Sequence, residues 1–430
     1  MSADGPTWRT NYFWSLTDQT NTLALAFVSH VFLARVLGEQ EYGQYNLILA
    51  MGGLILVVSD LGLNLSAQRF VARSRGLEQA HPRPPWTAAW QLRGWTGVLF
   101  ACLLVLVYFL LPVIYPQHAL QAYFLFFLLP LPFNFLYSFQ RHLLLGHQRH
   151  KALCLFSGGM QLLFLVGLLA LWVLDVEVQL PIIFGLRFLV DLPVNLMVLR
   201  FSFGLLTRMP QTASHDQEVA ASRLQLRESM RSVAVVTISA LIYNRIGILI
   251  AGRYVLDGQL SNLSISTQIV ESAMLPMVAF RLTLEPQISR MVQHRVAGNL
   301  TLRRLHRRAL LLGAIYGALM VVLIRLVAPF VVPVIWGKAY VGVVELLAVH
   351  VFYLVSLCIG MGGNPFLISS GYARISGYLT VVSAVVNIGL GLALIPRFGV
   401  MGAIYTNLAT HACQTLCAVS YFWRKTSPSA

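Results

Sequence analysis

Arg187, Asp191 and Asn195 stand at intervals of four in the otherwise apolar stretch LPIIFGLRFLVDLPVNLMVLR. On a helix that spacing places them on one face, and Pro193 beside them loosens the backbone. The stripe can hold a private Arg187–Asp191 ion pair or a charged ligand, and both roles are compatible if the pair opens. Arg245, next to Asn244, lies in a second apolar stretch with no acid three or four positions away, which makes it the foremost candidate for holding an anion. Arg325 is placed in the same way, with snorkelling or a carboxylate on another helix as the competing role. Arg281 and Glu285 repeat the spacing of four, and Glu271 stands by itself, as a proton-carrying carboxylate would. Asp18 shares a helix face with Thr22 and Ser29, and Asp60 lies in a later apolar run. Ion coupling and simple capping or packing are equal readings of both.

Other chemistries are not indicated. His30, His350 and His411 have no second His or Cys at metal-ligand spacing and read as satisfied interior side chains. Cys102, Cys154, Cys358, Cys413 and Cys417 form no CxxC pair and read as small core residues. No GxxxxGK[ST], HExxH, GxSxG or paired-carboxylate arrangement is present. We expect no metal, no cofactor, no ATP hydrolysis and no catalysis.

These ionisable groups are informative because of the elements that carry them. A chain of 430 residues that is 57% hydrophobic and 11% charged has more apolar surface than one aqueous core can hide, so lipid is its solvent. The hydropathy pattern predicts membrane helices at about 12–36, 42–66, 89–115, 119–141, 152–174, 178–200, 229–253, 259–285, 308–336, 341–368, 376–395 and 400–423, each near the roughly 20 residues that span hydrocarbon. The fold class is all-α and polytopic. The first apolar segment, preceded by Arg9, is long enough to remain as an anchor, and the N-terminus reads as mature.

The formal charge of +15 is a matter of topology, and no nucleic-acid partner is expected. Connections after the even-numbered helices hold most of the Lys and Arg, among them Arg69, Arg73, Arg93, Arg141, Arg149, Lys151, Arg223, Arg227, Arg303, Arg307 and Arg374. The opposite connections hold Arg35, Arg253, Lys338 and Arg397 beside Glu39, Glu41, Asp175, Glu177 and Asp257. Under the positive-inside rule both termini are then cytoplasmic, and the basic loops also suit anionic membrane lipids.

The polar stretch 206–225 divides the chain into an N-lobe, 1–205, and a C-lobe, 226–430, with six predicted helices in each. Gly146 and Arg149 in LLLGHQRHK echo Gly371 and Arg374 in LISSGYARIS, and Gly43-Gln44 echoes Gly258-Gln259. An even number of spans per lobe makes the repeat parallel, a pseudo-two-fold about the membrane normal, with a binding cavity expected between the lobes. Gly360, Gly362, Gly363, Asn364 and Pro365 predict either a bend in helix 10 or close helix packing. The outward loops are too short to carry a folded external domain.

Three stretches, LGEQEYGQYNL at 37–47, DLGL at 60–63 and IPRFGVMGAIYTNL at 395–408, resemble the polysaccharide transporter branch of the multidrug/oligosaccharidyl-lipid/polysaccharide exporter superfamily, which includes the O-antigen flippases. The resemblance implies movement of an undecaprenyl-diphosphate-linked oligosaccharide across the bacterial inner membrane by alternating access. It implies an ion gradient as the drive, with a glycan polymerase and a chain-length regulator as protein partners. A diphosphate suits forked arginine contacts, so the expected substrate residues are Arg187, Arg245, Arg281 and Arg325 with Asn244 and Asn195. The expected ion-coupling residues are Glu271, Asp60, Asp18 and Asp191. A multidrug antiporter of the same superfamily is the alternative, and a membrane glycan polymerase or ligase a third reading.

Overall fold

In the computed structural model the protein is described over residues 8–76, 83–116, 120–207, 209, 215–293 and 299–426. Among these residues there is no strand. The helices are α1 (Trp8–Asp60), α2 (Leu63–Gly76), α3 (Arg83–Ile114), α4 (Leu120–Phe127), α5 (Leu131–Gly146), α6 (His150–Val173), α7 (Leu180–Thr207), α8 (His215–Tyr254), α9 (Asp257–Ala273), α10 (Leu275–Gln293), α11 (Asn299–Ile335), α12 (Gly342–Leu367), α13 (Ala373–Phe398) and α14 (Val400–Lys425).

Among the described residues eight helices are, by length and composition, long and apolar enough to cross a membrane, and up to ten if each of two bent pairs is one span. The apolar part of α1, Phe13–Asp60, is 48 residues long. At 1.5 Å per residue it would run roughly 70 Å as a straight rod, more than twice the hydrocarbon thickness. It breaks at Gly38, whose φ of 71° and ψ of 179° lie outside the helical region, so the element contains both of the first two expected spans. Helix α14 has crossing length but is less apolar, because its buried face carries Thr406, Thr410, His411 and Thr415. Thr406 and Thr410 donate to the carbonyls of Gly402 and Thr406, each at 2.8 Å, which lets hydroxyls sit in a helix with no outside partner.

The bends fall at prolines. Pro130 precedes α5, and α4 and α5 meet at 48°; Met274 separates α9 from α10 at 43°, with Pro276 in the first turn of α10. A proline lacks the N–H that would continue the ladder. In contrast, the backbone stays helical through residues 360–365, and the break comes afterwards, in a π-turn over Ile368–Tyr372 where Gly371 has φ 90°. Stretch 215–225, expected within a polar connection, is helical as the start of α8, with Asp216 and Glu218 favourably placed against the positive end of the helix dipole.

Contacts divide the chain into two compact units: residues 1–37 with 51–238, and residues 38–50 with 239–430. In the first unit the DLGL turn is tight. Gly62, at φ 74°, comes so close to α8 that a Cβ would lie 2.6 Å from the Ala234 nitrogen. In the second unit the 37–47 stretch packs on the start of α9: Gly43 lies against the Asp257 backbone, Gln44 Nε2 donates to Asp257 Oδ2 at 2.8 Å, and Gly258 faces Glu39. The two segments that echo each other in sequence thus pack face to face. Further along, Gly313 and Gly317 on α11 sit against the backbone of α12 at Cys358 and Val355, the close approach that small residues four apart permit.

Candidate functional site

The first unit holds a polar network in the interior of apolar helices. α1 supplies Asp18, α5 supplies Asn134, Tyr137 and Arg141, α6 supplies Ser157 and Gln161, and α7 supplies Arg187, Asp191 and Asn195. Arg141 Nη2 donates to Asp18 Oδ2 at 2.9 Å, and the Ser157 hydroxyl donates to the other Asp18 oxygen. Arg187 Nε lies 3.1 Å from the Asp191 carboxylate, its Nη1 donates to Gln161 Oε1 at 3.2 Å, and Asn134 Nδ2 donates to Asp191 at 3.1 Å. Tyr137 lies within electrostatic reach of Asp18, Arg141 and Arg187, so it stands between the two ion pairs. Among the described residues its hydroxyl has no well-aligned hydrogen-bond partner, although Ser157 adjoins it, and Asp191 Oδ1 and Asn195 Oδ1 have none either.

The network is neutral, two guanidiniums against two carboxylates. Its arginines are the more accessible partners: the side chains of Arg141 and Arg187 are 36% and 19% exposed, against 6% and 0% for Asp18 and Asp191. A charged ligand therefore meets guanidinium first. Arg187 also lies 5.1 Å from the centroid of the Phe164 ring, which supports it from its apolar side. The expected stripe of Arg187, Asp191 and Asn195 is present, with Asn195 Nδ2 held by the Asp191 carbonyl at 2.8 Å.

Asp60 belongs to a separate buried pair. Arg93 of α3 reaches its Oδ1 at 3.1 Å, and the Asn64 N–H reaches both its oxygens at 3.2 and 3.3 Å, so the carboxylate also caps α2. Arg93 donates a further bond to the Phe135 carbonyl and lies over the Phe135 ring, 3.3 Å from its centroid. Arg93 and Arg141, expected in basic cytoplasmic connections, are instead the partners of the two carboxylates that had none on their own helices. An acid without an i±4 partner in an apolar helix was the available signal.

In the second unit the five expected groups are scattered. Arg281 is paired with Glu285 at 2.6 Å and touches Met361 Sδ. Arg325 donates to the Ala348 carbonyl and lies over the Phe352 ring. Asn244 is exposed and donates to the Ala240 carbonyl of its own helix at 2.7 Å. Arg245 is exposed and, among the described residues, makes neither an ion pair nor a hydrogen bond; Glu271 is exposed in the same way. Both lie within electrostatic reach of the Tyr353 hydroxyl. Tyr353 thereby joins an exposed cation and an exposed anion from α8 and α9 to the buried side of α12. No group of three or more metal-ligating side chains occurs among the described residues.

Comparison with known proteins follows this geometry. The chain covers 96% of itself and 98% of a multidrug resistance MATE family transporter of the MOP superfamily in its inward-facing conformation, at TM-score 0.74 and 12% identity. It covers 87% of the lipid II flippase MurJ in an inward closed conformation, at TM-score 0.69 and 12% identity. A MOP superfamily transporter from Pyrococcus furiosus, described as having a binding pocket of reverse polarity, matches over 94% of its length at TM-score 0.57 and 13% identity. No curated protein matches in sequence. These likenesses establish that the chain shares the fold of these structures. A sequence family described as polysaccharide biosynthesis protein matches residues 9–292, more than half of the chain, and the protein belongs to that family.

Proposed function

We propose that the protein carries an undecaprenyl-diphosphate-linked oligosaccharide from the cytoplasmic to the periplasmic leaflet of a bacterial inner membrane by alternating access, driven by an ion gradient, with both termini cytoplasmic. The glycan would serve O-antigen, capsule or exopolysaccharide synthesis, alongside a polymerase and a chain-length regulator. The observation that carries this reading is the charge state of the mid-helix groups. Asp18, Asp60 and Asp191 are each neutralised by an arginine, while Arg245 is exposed and uncommitted. The second unit thus offers a free cation at Arg245 to an anionic headgroup, and the three aspartates of the first unit are not free to receive a cationic drug.

Arg245 is the anchor for the diphosphate, with Asn244 beside it. In the first unit Arg187 is a separate candidate contact, where a ligand phosphate would compete with Asp191, which already shares its negative charge with Asn134. Glu271 is the carboxylate available to take up the coupling ion. Arg281 and Arg325 have secondary roles, because each has already spent donors on a carboxylate or a carbonyl.

The test is leaflet accessibility of a polyprenyl-diphosphate oligosaccharide in proteoliposomes. A charge-assisted hydrogen bond contributes about 1.5–3 kcal/mol, so Arg245→Ala should lower the apparent affinity roughly 10- to 150-fold, with Arg245→Lys intermediate because an ammonium lacks the fork. Equal flipping by wild type and Arg245→Ala would remove the anchor. Export of cationic drugs with no movement of the glycan lipid would favour the antiporter reading instead.

A further inference from the structure

Helix α12 carries a buried imidazole whose basic nitrogen faces no partner. His350 is 0% exposed. Its Nδ1 is 3.0 Å from Ser266 Oγ on α9, and Ser266 Oγ also lies 2.9 Å from the Leu263 carbonyl. The Leu263 carbonyl also takes the Thr267 hydroxyl at 2.8 Å; both Ser266 contacts are hydrogen bonds only when its single proton goes to Leu263 and its oxygen accepts from His350, and that is the arrangement we assign. Nδ1 must then carry the ring proton. Nε2 is left with its lone pair, buried and without a hydrogen-bond partner.

A bare, enclosed imidazole lone pair is a place for one proton. The ring of Tyr353 stacks on His350 with centroids 5.7 Å apart and meets His411 of α14 edge-on at 5.6 Å. His411 Nδ1 is held by Ser356 at 2.7 Å and Thr415 at 3.3 Å. Tyr243 of α8 closes the cluster, 6.1 Å from His411, and its hydroxyl is buried without a good hydrogen bond although Tyr353 adjoins it. The charged and titratable groups around this cluster come from every neighbouring helix. They are Arg245 on α8, Glu271 on α9, Arg325 and Tyr316 on α11, Cys358 on α12 itself, and, further along α12, the Arg281–Glu285 pair of α10 at Met361. Glu271, exposed and in reach of Tyr353, is the carboxylate of this group through which a proton would enter.

We propose that His350 Nε2 is a proton-binding site and that the proton it takes up is the coupling ion of the transport cycle; this rests on the flippase reading above. On loading, the Nε2 lone pair forms an N–H bond while the donor, hydronium or the Glu271 carboxylic acid, gives up its proton. On release, the same proton returns to water. Nδ1–H keeps its bond to Ser266 throughout. An imidazolium with no facing carboxylate is costly in a dry interior, so the loaded state favours a conformation that admits water to this face of α12. A ligand that prefers one of two states in this way shifts their equilibrium.

The test has two arms. The first needs no substrate: nitrogen NMR of histidine-labelled protein in lipid nanodiscs, with His350 assigned by its loss in His350→Gln. Nε2 should change from bare to protonated as the pH is lowered from 8 to 4, a span that starts above the range in which an exposed histidine switches charge and ends below it. A bare Nε2 throughout that range would overturn the site. The second arm is flipping of a polyprenyl-diphosphate oligosaccharide with and without a pH gradient of one unit, which changes occupancy of a single titrating group up to about tenfold. Wild type should be stimulated, and His350→Gln should move the lipid at the gradient-free rate in both conditions. Stimulation retained in His350→Gln would overturn the coupling. If His350→Gln does not fold, Ser266→Ala, which releases Nδ1, should shift the nitrogen titration, and an unchanged titration would count against the assigned tautomer. If wild-type protein moves no glycan lipid, the flippase reading falls while the nitrogen titration still decides the proton site.

Discussion

Removing the Arg93 guanidinium should strand a carboxylate in the interior of the first unit. The Arg93 and Asp60 side chains are 5% and 12% exposed and 3.1 Å apart. At an effective dielectric of 20 that separation corresponds to about 5 kcal/mol of attraction. The Asn64 N–H remains on Asp60 after substitution and retains about 1 kcal/mol. Loss of the Phe135 carbonyl bond and the ring contact acts in the other direction. Arg93→Met should therefore destabilise the unit by about 3–5 kcal/mol, the range found when one member of a buried pair is removed. For a unit of this size the unfolding midpoint falls by roughly 6–20 °C. Cys154 is buried on α6 of the same unit, so its reaction with a thiol-reactive dye during heating reports the opening of that unit, in a background with Cys102, Cys358, Cys413 and Cys417 replaced by Ala. The double variant Asp60→Asn/Arg93→Met removes the stranded charge and should recover at least half of the loss. A midpoint within about 2 °C of wild type for Arg93→Met, or a double variant less stable than the single one, would refute the claim that this pair is held by mutual neutralisation.

Three other substitutions probe separate parts of the structure. Gly43→Leu drives a side chain into the Asp257 backbone and should lower stability by about 1–3 kcal/mol or more, read as loss of monodisperse protein on detergent size exclusion, whereas Gly53→Ala, which meets open space, should be silent. His306 is fully buried between Phe366, Phe422 and Trp423 with both ring nitrogens lacking partners; His306→Leu should raise the thermal midpoint, because removing an unsatisfied buried polar group returns about 1–3 kcal/mol, and a lowered midpoint would contradict it. Asp18→Asn frees Arg141 and adds net positive charge beside Tyr137; it should tighten binding of a diphosphate lipid measured by tryptophan quenching, and unchanged binding would place this network outside the substrate path.

Much of the architecture was legible in the chain because the bilayer is a simple solvent. Backbone groups in hydrocarbon must bond to one another, so long apolar runs can only be helices. The likeness of Gly43-Gln44 to Gly258-Gln259 was also visible, though not that the two segments pack together. The spacing of Arg187, Asp191 and Asn195 was enough to place those residues on one face, since helical geometry alone sets that relation.

Pairing across helices was decided only in three dimensions. Asp18 and Arg141 are 123 residues apart, and nothing local distinguishes Arg141 from an arginine that marks topology. The same holds for Asp60 with Arg93, and for His350, whose tautomer follows from where a serine on another helix sends its one proton. The bends went to Pro130 and to Met274, just ahead of Pro276, rather than to the glycine-rich run at 360–363, because a proline removes a backbone donor, while a glycine in a helix bends it only if its neighbours leave room. Sequence spacing sets what lies on one helix face; which face meets which is set by packing, and that determined which charges are free to act.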